Sequence, residues 1–332
     1  MTGRDVLLSV VVALALTVLN EPIYAQSLNF VRIAGEELTS QEIADIRLRA
    51  EQGYPDAQFA LGVMHWEGRS VEQDDGEAVR WFRLAADQGE ADGQTALGDA
   101  YWDGRGVPQD DREAVRWFRL AINQGDAYGQ VSLGTAYSYG RGVEQDDRET
   151  VRWNRLAADQ GHVYGQRALG VAYWQGRGVP QDDREALRWF RLAAEQGNAF
   201  SQTQLGIAYW EGRGVPQDDR EAVQWFRQGT EGGNSVAMSW LALAYSEGRG
   251  VLQDFVFAHA WANLAASRLS GDMRVSSVEM RDEAAKRLTS EELDAAQRLA
   301  EQLMAVNPPR GSSEIIEEES PNKLGESGDC LF

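Results

Sequence analysis

Paired carboxylates recur along this chain at Asp74-Asp75, Asp110-Asp111, Asp146-Asp147, Asp182-Asp183 and Asp218-Asp219. Adjacent acids are the residue types that hold calcium or work as a glycosidase pair. Neither chemistry is spelled out by the spacing. A calcium loop alternates oxygen ligands and closes on a distal glutamate, which these pairs lack, and no two carboxylates stand apart from the many others. Each pair instead begins three residues ahead of a glutamate, as Asp110 before Glu113, the capping-box signal of a helix start. His65, His162 and His259 show no ligand or triad spacing, and the single Cys330 cannot form an intrachain disulfide. No catalytic residue, cofactor or metal is therefore expected.

Two rows of side chains are candidates for binding. The first is Trp66, Trp102, Trp174 and Trp210, with Ser138 and Ser246 in the intervening equivalent places. On a helix, Thr95, Asp99 and Trp102 share one face by their i, i+4, i+7 spacing. Their counterparts differ, as Phe59/Val63, Val131/Thr135, Arg167/Val171, Thr203/Ile207 and Ser239/Leu243. If that face lines a groove, Trp66, Trp102, Trp174, Trp210, Thr95, Asp99 and Arg167 are the expected binding residues, suited to an extended peptide, an apolar helix or sugar rings. The other reading packs the indoles beneath the following loop. The second row is Arg69, Arg105, Arg141, Arg177, Arg213 and Arg249, which either binds carboxylates or neutralises helix C-termini and aspartates of its own loop.

What must position these rows is a repeat. Trp81 returns as Trp117, Trp153, Trp189, Trp225 and Trp261, and Gly53 as Gly89, Gly125, Gly161, Gly197 and Gly233, a step of 36 residues without insertion. A strict period of that size means stacked units. In the second unit, Ala96 to Trp102 reads as a short helix ended by Gly104 and Gly106, and Glu113 to Gln124 as a second, with Ala114, Trp117, Phe118 and Ala121 on one apolar face. Gly98 permits close helix contact, so each unit is a helical hairpin whose apolar side only its neighbours can cover. The expected fold is all-α, an α/α superhelical solenoid of six such repeats with capping helices.

The expected divisions are a signal peptide at 1–25, a leader and N-terminal capping helix at 26–53, the solenoid at 54–270, capping helices at 271–306 and a disordered acidic tail at 307–332. The N-terminal cap, Ile43 to Gly53, carries Asp45 and Ile46 where a full repeat has Trp and Phe. In the last unit Ala242 replaces the helix glycine, Phe255 the second aspartate and Ala262 the phenylalanine; beyond it 278–288 and 291–304 read as helices, with Thr289 and Glu292 placed for a capping box. Arg4, the apolar run Val6 to Leu19 and small Ala25 read as an export signal, since about 14 apolar residues fall short of a membrane span. A periplasmic or secreted protein without stable membrane insertion follows. A formal net charge of -20 argues against nucleic acid and anionic membrane surfaces as partners.

Ala96-Leu97-Gly98, Tyr101, Gly104-Arg105-Gly106-Val107, Asp111, Ala114-Val115-Arg116-Trp117 and Ala121 to Gly125 together resemble the Sel1-like repeat, a relative of the tetratricopeptide repeat, over roughly residues 41 to 305. The resemblance implies an α/α superhelix that serves as an adaptor or scaffold, in bacteria often an exported protein of envelope signalling, polysaccharide regulation or host contact. Disulfide-rich relatives linked to penicillin binding are no guide, because this chain lacks their cysteines. The expected function is a non-catalytic protein–protein interaction scaffold with an unidentified protein partner; the alternative is a carbohydrate-binding envelope protein.

Overall fold

The computed structural model describes residues 38–306. The expected signal peptide, most of the leader and the tail lie outside the described residues. Fifteen helices and no strand occur among the described residues. After α1 (Ser40–Glu51) come hairpins α2 (Pro55–Glu67) with α3 (Asp75–Asp87), α4 (Ala91–Asp103) with α5 (Asp111–Ile122) and α6 (Ala127–Tyr139) with α7 (Asp147–Asp159). Then follow α8 (Val163–Gln175), α9 (Asp183–Glu195), α10 (Ala199–Glu211), α11 (Asp219–Glu231), α12 (Ser235–Glu247), α13 (Phe255–Arg268), α14 (Gly271–Ala285) and α15 (Ser290–Val306). The chain divides into two compact units, one ending at Gly165 and one starting at Gln166. Consecutive helices pack on one another from α1 to α7 in the first unit and from α9 to α14 in the second, where α15 packs on α13, and in the first unit α4 also touches α2 and α6, the pattern of an α solenoid.

Each second helix starts where an aspartate turns extended: Asp110 has φ -147° and its carboxylate accepts the N–H groups of Arg112 and Glu113. The expected capping box is completed differently. The Asp110 N–H donates to the Tyr101 carbonyl of the preceding helix at 2.9 Å, and Glu113 pairs with Arg116 instead of reaching back. The neighbouring helix thus satisfies the donor that a glutamate satisfies in an isolated helix. At Thr39/Glu42 and Thr289/Glu292, where no such bond from a preceding helix occurs among the described residues, the full box forms.

First helices stop at a left-handed glycine such as Gly104, φ 67°. Gly106 is left-handed too, but its second constraint is tertiary: a Cβ there would overlap the Asp75 carbonyl of the preceding hairpin. The equivalent residue in the first hairpin is Ser70, the only non-glycine with positive φ among the described residues. Among the described residues no earlier aspartate-capped helix stands there for its Cβ to strike.

Between the two helices of a hairpin, Phe118 lies against Gly98 so closely that a Cβ would enter the ring. Phe82 against Gly62 and Phe226 against Gly206 repeat the contact. Trp81, Trp117 and Trp153 each pack between the first helix of their own hairpin and the element before it. Trp81 packs with Leu61 and Met64, Trp117 with Phe82 and Leu97, and Trp153 with Phe118 and Leu133. The array ends differently at its two termini. On α1, Asp45 is exposed while Ile43 and Ile46 pack beside Trp81. At the other end α14 begins at Gly271, seven residues before the expected start, because Ser277 and Ala284, not a run of large apolar residues, form its buried face on the array. No described helix is long and apolar enough to cross a membrane.

Candidate functional site

The tryptophan row is built into the joints between hairpins. Phe82, Phe118, Phe190 and Phe226 meet Trp66, Trp102, Trp174 and Trp210 in tilted or edge contacts at 5.8, 6.4, 6.1 and 6.1 Å between centroids. The loop arginine of the next hairpin covers an indole face: Arg105, Arg141, Arg213 and Arg249 lie 3.8, 3.7, 3.5 and 3.6 Å from the ring centres. Trp210 is buried and the other three are half-buried. A sugar stacking on these rings would have to displace a guanidinium.

The arginine row is engaged on three sides. Arg141 stacks on Trp102, donates to the Trp102 carbonyl at 2.6 Å and pairs with Asp111. Arg213 does the same with Trp174 and Asp183, both bonds at 2.8 Å. The carboxylate is not from the arginine's own loop, as the sequence suggested, but from the preceding hairpin. Asp75, Asp111, Asp183 and Asp219 are held below the usual aspartate range by the hydrogen bond from that arginine. The acidic pair thus splits its work, the first aspartate capping its helix and the second tying down the next loop. Arg69, with no earlier hairpin among the described residues, pairs locally with Glu67 at 3.1 Å.

The first-helix stripe has a different character. Thr95 is buried and donates to Asp126 at 2.6 Å, while the same carboxylate oxygen accepts the Gly129 N–H and caps α6. Glu90 caps α4 through the Gly93 N–H, and burial first, then Asp92 and Asp126, push its pKa up to about 7. Asp99 is pushed well above the usual aspartate range by burial, then Asp103, then Asp126, with no cation among the contributors. Asp99 therefore belongs to a group of acids with Glu90, Asp103 and Asp126, which Thr95 joins through its hydrogen bond to Asp126. Arg167, in the other unit, is half-buried with its guanidinium over the Phe200 ring at 5.6 Å. Elsewhere the stripe is partly covered: Phe59 and Val63 pack on the Phe82 core, and Ser239 bonds Ser277 of α14 at 2.6 Å.

A glutamine ladder escaped the sequence reading. Gln88, Gln124, Gln160 and Gln196 donate to Gln58, Gln94, Gln130 and Gln166 at 2.7, 3.0, 3.0 and 2.8 Å. Gln58, Gln94 and Gln202 pass the bond to the carbonyls of Ala50, Ala86 and Ala194. The signal was the same 36-residue step, carried by residues without charge or ring. At the fifth place Gly232 stands where the donor should be, and Gln202 Oε1 is buried without a hydrogen-bond partner among the described residues.

The hairpin geometry and its period agree with what the chain resembles. The Sel1 repeat model matches residues 55–90, 91–126, 127–162, 163–198, 199–234 and 235–268. No curated protein matches in sequence. Among solved structures the chain is similar to a Sel1 repeat protein from Oxalobacter formigenes, with 33% identity over 65% of this chain and 89% of that one and a TM-score of 0.62. It is also similar to a protective antigen of uropathogenic Escherichia coli strains that displays an SLR fold, with 27% identity over 92% and 88% and a TM-score of 0.42. Sel1 repeat proteins are in general scaffolds that bind other proteins and do not catalyse reactions. With six consecutive matches across residues 55–268, the chain belongs to the Sel1 repeat family.

Proposed function

We propose that this chain is an exported, non-catalytic scaffold that holds a partner protein against the first-helix stripe, in the periplasm or outside the cell. The observation that supports it is a contrast within the repeat. Framework positions recur unit after unit, whereas Phe59/Val63, Thr95/Asp99, Val131/Thr135, Arg167/Val171 and Thr203/Ile207 change chemistry at every step. A packing role asks for the same residue in every unit; a partner with its own uneven surface asks for different ones. Asp99 has no cation among the groups that act on it, whereas Asp103 beside it feels Arg141 and Arg105, so a basic side chain of a partner is the complement that Asp99 on this part of the stripe accepts. The half-buried edges of Trp66, Trp102 and Trp174, with buried Trp210, border the stripe from positions fixed by the framework. Export rests on Arg4, the Val6 to Leu19 run and Ala25.

The test is affinity capture from the native envelope with the tagged chain, with Thr95→Ala/Asp99→Arg/Arg167→Glu, and with Arg112→Ala/Arg148→Ala on the second helices. The stripe variant is expected to lose the captured protein and the second-helix variant to keep it. Full retention by a folded stripe variant would exclude this face. Export is checked by N-terminal sequencing, expected to begin at Gln26.

A further inference from the structure

Four hairpins are closed by a pair of rings, Trp66 with Phe82, Trp102 with Phe118, Trp174 with Phe190 and Trp210 with Phe226. The hairpin of α6 and α7 has Ser138 and Asn154 in those two places. Asn154 lies where the phenylalanines lie: its amide is against Gly134, within 3.2 Å of where a Cβ would stand, as Phe118 is against Gly98. It is 5% exposed, and its Oδ1 has no hydrogen-bond partner among the described residues. A buried acceptor in that state is costly, and packing alone is better served by the phenylalanine of the other hairpins. Ser138 stands one turn on from Gly134, on the same side of α6. The rings missing inside return on the surface. Tyr128 and Tyr139 are 43% and 56% exposed, where the two hairpins before carry Asp56/Glu67 and Asp92/Asp103. Eleven residues make about three helical turns, so both tyrosines share one face of α6, about 16 Å apart. The last hairpin also lacks both rings, as Ser246 and Ala262, but alanine brings no polar atom, and α14 packs on α12 and α13 there.

We propose that a tryptophan of the partner protein fills this place, its indole standing where Trp66, Trp102, Trp174 and Trp210 stand in the other hairpins and its Nε1–H donating to Asn154 Oδ1. This rests on the reading that a partner docks on the first-helix stripe, and it names the anchor that the partner uses. The place opens toward that stripe, since Trp66, Trp102 and Trp174 are only half-buried in the equivalent positions. The donor is neutral. α6 contains no charged residue, and the buried residues of α7 are Val151, Asn154, Ala157 and Ala158. An ammonium or guanidinium would therefore lose its hydration with no carboxylate of these two helices to replace it. An indole matches both requirements, because it carries the ring that the framework uses here and a single N–H donor. Exposed Tyr128 and Tyr139 give the anchor the aromatic surround of an interface hot spot.

The test titrates the full chain with N-acetyltryptophanamide and with its 1-methylindole analogue, which lacks the N–H. Binding is followed through the Asn154 side-chain amide signals in nitrogen-15 NMR, assigned by their absence in Asn154→Leu. The first compound is expected to shift those signals saturably and the analogue to bind about tenfold more weakly. Ser138→Trp/Asn154→Phe puts the framework's own rings into the place, and is expected to raise the denaturant midpoint while abolishing the binding. No saturable shift at Asn154, equal binding of the two compounds, or binding kept by the folded ring-restored variant would each overturn the assignment. Should that variant not fold, the two compounds on the parent chain decide the matter. The probe is the amino acid alone, so a failed titration condemns this anchor, whereas capture retained by the stripe variant condemns the docking face.

Discussion

The guanidinium of Arg213 lies 3.5 Å from the centre of the Trp174 indole, 39 residues earlier, and donates at 2.8 Å to that tryptophan's own carbonyl. A third contact, at 2.8 Å, goes to Asp183. One side chain therefore closes a helix C-terminus, covers an aromatic face and clamps the start of a second helix. Lysine has the charge but not the planar fork that makes the three contacts together. Arg213→Lys is expected to destabilise the protein by about 1–2 kcal/mol, measured as a shift in denaturant midpoint at unchanged slope. Asp183→Asn should cost less, about 0–1 kcal/mol, since the pair is part-exposed. Because Asp183 titrates below its ordinary value in the fold, its contribution is present above the ordinary aspartate pKa and is lost as pH falls through the lowered one. An equal loss from Arg213→Lys and Asp183→Asn would mean that only the ion pair matters.

Gly98 and Phe118 form a matched pair, and the last hairpin shows how the match can change. There Ala242 and Ala262 replace both members, and Trp240 stacks on Phe226 of the hairpin before, at 5.6 Å and 11°. Gly98→Ala alone is expected to cost about 1–3 kcal/mol through overpacking and Phe118→Ala alone about 3–5 kcal/mol through the cavity. The double variant should cost less than the sum, read from a double-mutant cycle. Simple additivity would show that the two residues do not share the contact.

Glu90 makes the first unit sensitive to pH. Its folded-state pKa of about 7 lies above the ordinary 4.5, so the fold favours the protonated form. The corresponding stability is fully present below about pH 4.5 and is lost as pH rises through about 7. Glu90→Gln should remove this part of the pH dependence, raising the melting temperature relative to the parent more at pH 8 than at pH 5. Parallel pH profiles would assign the dependence to another group.

The glutamine ladder predicts unequal costs at equivalent positions. Gln94 accepts from Gln124 and donates to the Ala86 carbonyl, so Gln94→Met breaks two bonds and should cost about 1–3 kcal/mol. Gln202 lacks the first partner, and the next hairpin carries Met238 in its place. Gln202→Met should be close to neutral in thermal unfolding. A loss as large as at Gln94 would show that the ladder bond itself contributes little.

Much of the molecule is legible in the order of its residues. An unbroken step of 36 residues leaves a hairpin no way to cover its apolar side except with its neighbours, so the solenoid, its Asp-capped second helices and its glycine stops follow from local rules and period alone. Local rules are weaker at the start of α14, where buried Ser277 hides the apolar face. What one hairpin cannot state is where a side chain goes when its partner lies 30 or more residues away. That Arg141 reaches back to Asp111 depends on how two hairpins dock, and that Asp110 gives its N–H to Tyr101 and Gln124 meets Gln94 depends on how the two helices of one hairpin pack. The crowding of half-buried Asp99 by Asp103 and Asp126 depends on docking too. Those contacts are set by the close packing of apolar faces, which brings polar groups together irrespective of their separation in sequence.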